Sequence, residues 1–326
     1  MGFKVTVTGL ENLPAAAAPA AGKDPRSGPA VVPALEGDGK LRSAVNAAMV
    51  ARLEEMVRGT RELARRLEAR RPAVYVGDHL ALTRIEHRFF MYADTRDLSV
   101  APHLLVDGIW EPALTLLLES WIQPGMTVVD IGAHFGYFTL LAASRMHPAE
   151  GLVYAFEPHP RSFEILEKNV AVNWLGKWVR AFPCALLDAP AEIELHSAPT
   201  LLGSSSFFVT SLEGQNFQPI PVTARPLDEI ITGPVDVMKM DAEGSEPFIF
   251  DGMKAVLQRS PQMKMVMEFN VPALEAARVD PRAFLDKLRA LGFGFFSVTA
   301  QGGLEALQEG SLWTGTKITN MALMRG

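Results

Sequence analysis

Cysteine is nearly absent. Cys184 is the single one in 326 residues, so no internal disulfide forms and no pair of thiolates can hold zinc. A lone thiol fits a reducing, cytoplasmic setting. Net positive charge is missing too: the formal charge is −6, which offers nucleic acid no global basic field. No apolar run is long enough to cross a bilayer, and Met1–Leu10 lacks a signal-peptide core. Large apolar side chains are scarce from Leu13 to Lys40, where Ala, Pro and Gly dominate. Too little burial is available there to offset ordering entropy, so residues 1–42 read as a flexible segment and linker. Phe3–Leu10 alternates like a short strand but has no visible partner.

What is present begins at Ser43. Met49, Leu53, Met56, Thr60, Leu63 and Leu67 are spaced 4, 3, 4, 3, 4, a heptad-like seam on a helix. Pro72 ends it, and Arg65, Arg66, Arg70 and Arg71 suit the negative end of its dipole. The seam packs on its own domain or pairs two chains as a homodimer through 43–70. Ala73–Asp107 mixes strand-like runs (AVYV, FFMYA, HLLV) with charged turns, and Glu111–Ile122 is helical, stopped by Gln123-Pro124-Gly125. Residues 43–115 form a mixed N-terminal extension, and 116–326 the main domain. From Val128 the pattern alternates. Strands are expected at Val128–Ile131, Leu152–Phe156, Val179–Cys184, Val235–Met240, Met263–Phe269, Gly294–Thr299 and Lys317–Met324. Helices are expected at Gly136–Met146, Pro160–Asn173 and Pro281–Leu291. Such alternation predicts a doubly wound α/β fold with a mostly parallel sheet. Ligands bind such sheets at the carboxyl ends of the strands.

Four segments follow strand ends. In VVDIGAHFGYFT, Val128–Thr139, Gly132 and Gly136 permit a sharp turn close to a ligand. The spacing is GxxxG, and the missing GxGxxG argues against a pyrophosphate ligand. In YAFEPHP, Glu157 ends the next strand, where a carboxylate accepts hydrogen bonds from both ribose hydroxyls. In VMKMDAEGSE, Asp241, Glu243 and Glu246 crowd one turn, which calls for a cation or donors; as helix-terminal residues, Asp241 would cap and Glu246 would favour the dipole. In MVMEFN, Glu268 and Asn270 end the neighbouring strand. With Asp241 they offer oxygens for Mg²⁺, although Glu268 as an orienter of Lys or backbone groups is the plainer reading.

Together these segments resemble the FkbM family of methyltransferases. The resemblance runs from about Trp110 to Glu268 through VDIGAHFGYFTLLAA, VYAFEPHPRSFEILEKNVAVN, GSSSF at Gly203–Phe207, RPLDEI at Arg225–Ile230 and VMKMDAEGSEPFIFDGM. Gly108-Ile109-Trp110-Glu111 looks like the family's lead-in. His134 departs from the family's frequent Asn. The resemblance implies a seven-stranded Rossmann-like methyltransferase sheet, S-adenosylmethionine as donor, and a hydroxyl of a sugar, glycan or natural product as acceptor. It implies that Asp130, Gly132, Ala133, His134, Phe135, Gly136, Tyr137 and Phe138 wrap the methionine part, with Glu111 nearby. Glu157 and Pro158 would take the ribose, Ala185 and Leu186 the adenine, and Asp241 the side of the sulfonium and acceptor. Acceptor activation would fall to Asp241 first, then Glu268, His134, Glu243 or His159, or to Mg²⁺ on Asp241, Glu268 and Asn270. The rival readings are a nucleotide-dependent oxidoreductase and a non-catalytic dimeric scaffold.

Overall fold

The computed structural model describes residues 73–85, 88–146, 149–198, 200–206, 218–314 and 318–325. The expected strand at Phe3–Leu10, the 1–42 linker, the Ser43–Arg70 seam and Phe207 lie outside the described residues. The chain divides into two units, 1–67 and 68–326, and the second is described below.

Its centre is an eight-stranded sheet. Strands β4 (Thr127–Ile131), β5 (Leu152–Phe156) and β6 (Val179–Phe182) step outward on one side, and β11 (Val237–Met240) and β12 (Lys264–Asn270) on the other, all parallel. Beyond β12, β15 (Ile318–Arg325) runs antiparallel, followed by β13 (Phe293–Val298) and β14 (Leu304–Ala306). The short β14, hairpinned onto β13, makes eight strands where seven were expected. Its three residues, LEA, carry too little pattern to be read as a strand.

The central strands are buried on both faces, as parallel strands under helices must be. Val128 and Val237 join one apolar cluster; Val129, Ile131, Met238 and Met240 join the other. Helices form where the sequence punctuates them. Pro160 opens the helix Pro160–Val172, and Pro281 opens Pro281–Ala290 behind the cap Asp280.

Before this sheet lies an antiparallel meander of β1 (Val74–Gly77), β2 (Leu80–Ile85) and β3 (Phe89–Asp94). Asn169 and Asn173 of the Pro160–Val172 helix and its C-cap continue the ladder by side chain: they exchange hydrogen bonds with the backbones of Tyr92 and Phe90 at 2.6–3.0 Å. Arg161 bonds Asp94 and Asp78 from the same helix. Against the cost of burial, the guanidiniums of Arg96 and Arg161 hold Asp94 down at about 2. Leu80, Phe89, Met91 and Leu104 share the apolar cluster of Val128 and Val153.

Two stretches differ from expectation. HLLV is not a strand but part of a π-helical turn, His103–Asp107, closed by left-handed Gly108. Asp97 accepts hydrogen bonds from the backbone N–H groups of Val100 and Ala101 just ahead of it, which winds this segment instead of extending it. After β6, residues to which the sequence pattern assigns no element form a second sheet in the order β7-β10-β8-β9, where β7 is Ala185–Leu186, β8 Ala191–Ala198, β9 Leu201–Ser206 and β10 Gln218–Arg225. Pro219 and Pro221 hide β10, because proline demotes a strand reading. They are tolerated since β7 pairs only with Ala224 and Arg225 and leaves the proline end an edge.

Candidate active site

Strands β4 and β11 lie in register, Ile131 beside Met240. The chain turns from β4 toward β5 and from β11 toward β12, so this pair is the switch point at which a crevice opens. A cleft of about 930 Å³ lies there.

Two glycines shape its floor. Gly132 has φ +70°, and a Cβ on it would stand 1.9 Å from the Asp241 carbonyl oxygen. Only glycine allows the two strand ends to touch. Gly136 has φ +89°, and its Cβ would meet Leu166 at 2.4 Å, so it seats the loop on the next helix. Between them the Gly132 and Ala133 N–H groups both donate to the Phe156 carbonyl at 3.0 Å. The loop is thereby tied to the end of β5, where Glu157 begins.

Glu157 is buried. Its two oxygens accept from the His134 N–H at 2.7 Å and the His159 N–H at 2.8 Å. Burial pushes its carboxyl up to about 7, partly opposed by those two bonds. Each oxygen keeps a further lone pair. His134 is left-handed at φ 51°, and neither ring nitrogen has a partner among the described residues. Burial holds its ring down at about 4, so it is neutral at pH 7. His159 is committed elsewhere: its Nδ1 accepts from the N–H groups of Arg161 and Ser162 as a helix cap.

Lys239 is the residue that sequence reading passed over. It is 7% exposed inside a four-residue buried strand. Its Nζ donates to the Gly132 carbonyl at 3.0 Å and to Asp241 Oδ2 at 3.3 Å, and lies 5.6 Å from the Phe138 ring centroid. Burial works against its charge, but Asp241, Asp130 and Glu111 outweigh burial and raise its pKa. Asp130 is its register partner on β4. The Asp130 Oδ2 accepts from Thr139 at 2.6 Å, while Oδ1 is buried without a hydrogen-bond partner. Burial raises the Asp130 carboxyl and that of Glu111; Glu111 accepts from Asn320. The signal in the sequence was a lysine amid Val-Met-Met, since a charge in a doubly covered strand requires partners.

The acidic turn separates into roles. Glu246 accepts from the N–H groups of Ala242 at 2.9 Å and Gly244 at 3.0 Å, and burial pushes it up to about 7. Asp241 makes no capping bond; Ser245 is the N-cap of the following helix. Oxygens of Asp241, Glu243 and Glu268 lie within 4.8 Å of one another. Burial and the neighbouring carboxylates raise Glu243, and push Glu268 up to about 8. Asn270 turns its amide nitrogen toward Glu243 and Glu268 at 3.4 Å, while its Oδ1 caps the helix Val271–Ala276 at Ala273. The oxygen anticipated for a metal accepts that backbone bond, and Glu243 adds a carboxylate beside those of Asp241 and Glu268.

Of the anticipated residues, Gly132, Ala133, His134, Phe135, Tyr137, Phe138, Glu157, Pro158, Ala185, Leu186, Asp241 and Glu243 line the cleft. Glu111, Asp130, Gly136, His159, Glu268 and Asn270 are not among the lining residues. Lining residues that sequence reading missed include Val100, Leu104, Leu195 and Leu202. They come from the wound segment and the second sheet. Asp97 joins these two: it accepts from Ser99 Oγ at 2.5 Å and from the Leu202 N–H at 3.2 Å. Ser206 Oγ, at the end of β9, donates to the Glu243 carbonyl at 2.9 Å.

The family model described as the methyltransferase FkbM domain matches residues 130–295. The methyltransferase sdnD of Sordaria araneosa is 34% identical over 79 residues, which cover 24% of this chain and 30% of that protein. The matched stretch therefore spans less than a third of that relative. Among solved structures, a methyltransferase FkbM from Methylobacillus flagellatus KT aligns over 73% of this chain and 56% of its own, at 14% identity and a TM-score of 0.42. An O-methyltransferase from Bacillus cereus in complex with SAH aligns over 67% and 83%, at 16% identity and a TM-score of 0.39. Among the described residues no helix is long and apolar enough to cross a membrane.

Proposed function

The chain belongs to the FkbM family of methyltransferases, and from that premise we propose that it is an S-adenosylmethionine-dependent enzyme that methylates a hydroxyl oxygen of a sugar, glycan or natural product. The bound donor supplies a methyl group already activated on a sulfonium. What remains for the protein is to orient donor and acceptor, exclude water and receive a proton.

The observation that carries this reading is the state of Asp241. One carboxylate oxygen is tethered by Lys239, and the other accepts no hydrogen bond among the described residues while the residue lines the cleft. A fixed carboxylate with a free oxygen suits an acceptor O–H. The donor fits the other half of the cleft. Glu157 retains lone pairs for the ribose hydroxyls, the 132–138 loop approaches without side-chain bulk at Gly132, and Ala185 and Leu186 offer an apolar wall for adenine. Neutral His134, with both nitrogens unused, can serve either half.

A divalent cation on Asp241, Glu243 and Glu268 is a second reading, favoured by the proximity of their oxygens. Outside the cleft, the heptad seam at 43–70 supports a homodimer, and the lone Cys184 a cytoplasmic setting. Light scattering on the full chain, expected to give twice the chain mass, tests the dimer; a monomer removes it. The function is tested by incubation with S-adenosylmethionine and a panel of sugar nucleotides, glycans and hydroxylated polyketides, followed by mass spectrometry and NMR of the product. A methyl ether is expected. Methylation on nitrogen or carbon alone would overturn the oxygen assignment.

A further inference from the structure

We propose that Lys239 is a positioning residue for methyl transfer, holding the Asp241 carboxylate to the cofactor loop and offsetting its charge beside the sulfonium. The proposal rests on the reading of Asp241 as the group that meets the acceptor.

The placement is specific. Lys239 and Val237 share one face of β11, while Met238 and Met240 fill the other. A lysine serving only to neutralise buried Asp130, its register partner, would direct its ammonium there. Its hydrogen bonds go instead to the Gly132 carbonyl and to Asp241 Oδ2. These are the two groups whose backbones already touch across the cleft floor. Lys239 itself lines the cleft. One ammonium thus fixes the donor side and the acceptor side relative to each other. It also sets the local charge: the carboxyl groups of Asp241, Asp130 and Glu111 act on this ammonium, and a sulfonium would enter as a further cation. A site that carried the carboxylates without Lys239 would hold the cationic donor too tightly relative to its neutral thioether product.

The test compares charged and neutral ligands of one shape. S-adenosylmethionine and S-adenosylhomocysteine are titrated calorimetrically into the full chain and into Lys239→Met. S-adenosylhomocysteine affinity is expected within about threefold of wild type, while the preference for S-adenosylmethionine rises by about fivefold or more, the least that one removed charge about 4 Å away is worth even at the dielectric of bulk water. Equal weakening of both ligands would assign Lys239 to packing and overturn the proposal, as would an unchanged ratio. With an acceptor from the methylation panel, kcat of Lys239→Met is expected to fall about tenfold. In an Asp241→Asn background the same change should cost less than about threefold, because coupled residues are not additive. Full additivity would overturn the proposal. Wild-type turnover in Asp241→Asn alone would instead defeat the Asp241 reading, which the ligand ratio does not depend on. If Lys239→Met does not fold, Lys239→Gln keeps an N–H for Gly132 without the charge and is read in the same way. Failure of both variants to fold would make Lys239 a residue of the fold and overturn the proposal.

Discussion

Replacing Glu157 with Gln tests the cofactor half of the site with the size and direction of the effect worked out beforehand. The native carboxylate accepts two backbone N–H groups and has lone pairs left for ribose. A glutamine offers one oxygen, so one N–H loses its acceptor and the ribose loses a charged partner. Hydrogen bonds to charged groups are worth about 1.5–3 kcal/mol, so S-adenosylhomocysteine affinity should drop roughly ten- to 150-fold. pH supplies a second axis. With its carboxyl at about 7, Glu157 is roughly nine-tenths ionised at pH 8 and one-tenth at pH 6, so wild-type affinity should fall roughly tenfold across that interval. The variant should lack that component. Stability of the free protein runs the opposite way. Burial raises the folded pKa above the unfolded 4.5, so the native state holds more protons than the unfolded chain between 4.5 and about 7. Stability from this group is therefore full at low pH and is lost as pH rises through 7, by about 3 kcal/mol. Glu246 and Glu268 titrate in the same direction, so the wild-type minus Glu157→Gln difference is the quantity to follow. Calorimetric titration from pH 6 to 8 and urea unfolding from pH 5 to 8 give both. Equal affinity and parallel pH curves for the two proteins would refute the ribose assignment.

Asp241→Asn should fold like wild type, since Asp241 caps no helix, yet lose about 10²-fold in turnover. A chelator control divides its roles: loss of wild-type activity restored by Mg²⁺ favours the cation, and indifference favours the carboxylate acting directly. Gly132→Ala puts a Cβ 1.9 Å from the Asp241 carbonyl at φ +70°. Strain of about 1–3 kcal/mol plus the clash should lower the melting temperature and abolish calorimetric binding of S-adenosylhomocysteine; a wild-type-like variant would contradict the strand-end contact. Asp97→Ala removes the acceptor of the Val100 and Ala101 N–H groups and the bond that reaches Leu202. At about 1–3 kcal/mol for each one left dry, it should shift the urea midpoint and speed protease cleavage near residue 100. An unchanged midpoint would remove Asp97 as the tie between the wound segment and β9.

The sheet was legible because its strands are nearly continuous apolar runs bounded by glycine and proline, and two-sided burial writes that pattern directly. Leu152–Phe156 was read to the residue. The second sheet was not, because its signals cancel. AEIELHSA alternates as a half-buried strand should, but its partner QPIPVTAR carries two prolines, and a strand whose partner is unreadable has no visible pairing. HLLV failed for the converse reason. Four apolar residues look extended, yet the deciding group is the Asp97 carboxylate, six residues upstream of His103, which captures the N–H groups of a turn.

The same division runs through the site. Gly132, Gly136 and Glu157 could be found because each answers a backbone or lone-pair requirement at a strand end, and strand ends are readable. Lys239 could not be placed on the same grounds. Asp241 stands two residues on along its own segment, but the Gly132 carbonyl and Asp130 reach it laterally from β4, and nothing local in VMKM tells that they lie beside it. The apolar lining contributed by the wound segment and the second sheet goes further in that direction. Val100, Leu104, Leu195 and Leu202 are separated by up to about a hundred residues and meet only because Asp97 and Ser206 fasten two excursions over the cleft. The glycine turn and Glu157 therefore announce themselves as motifs, while this part of the lining exists only once the chain has folded.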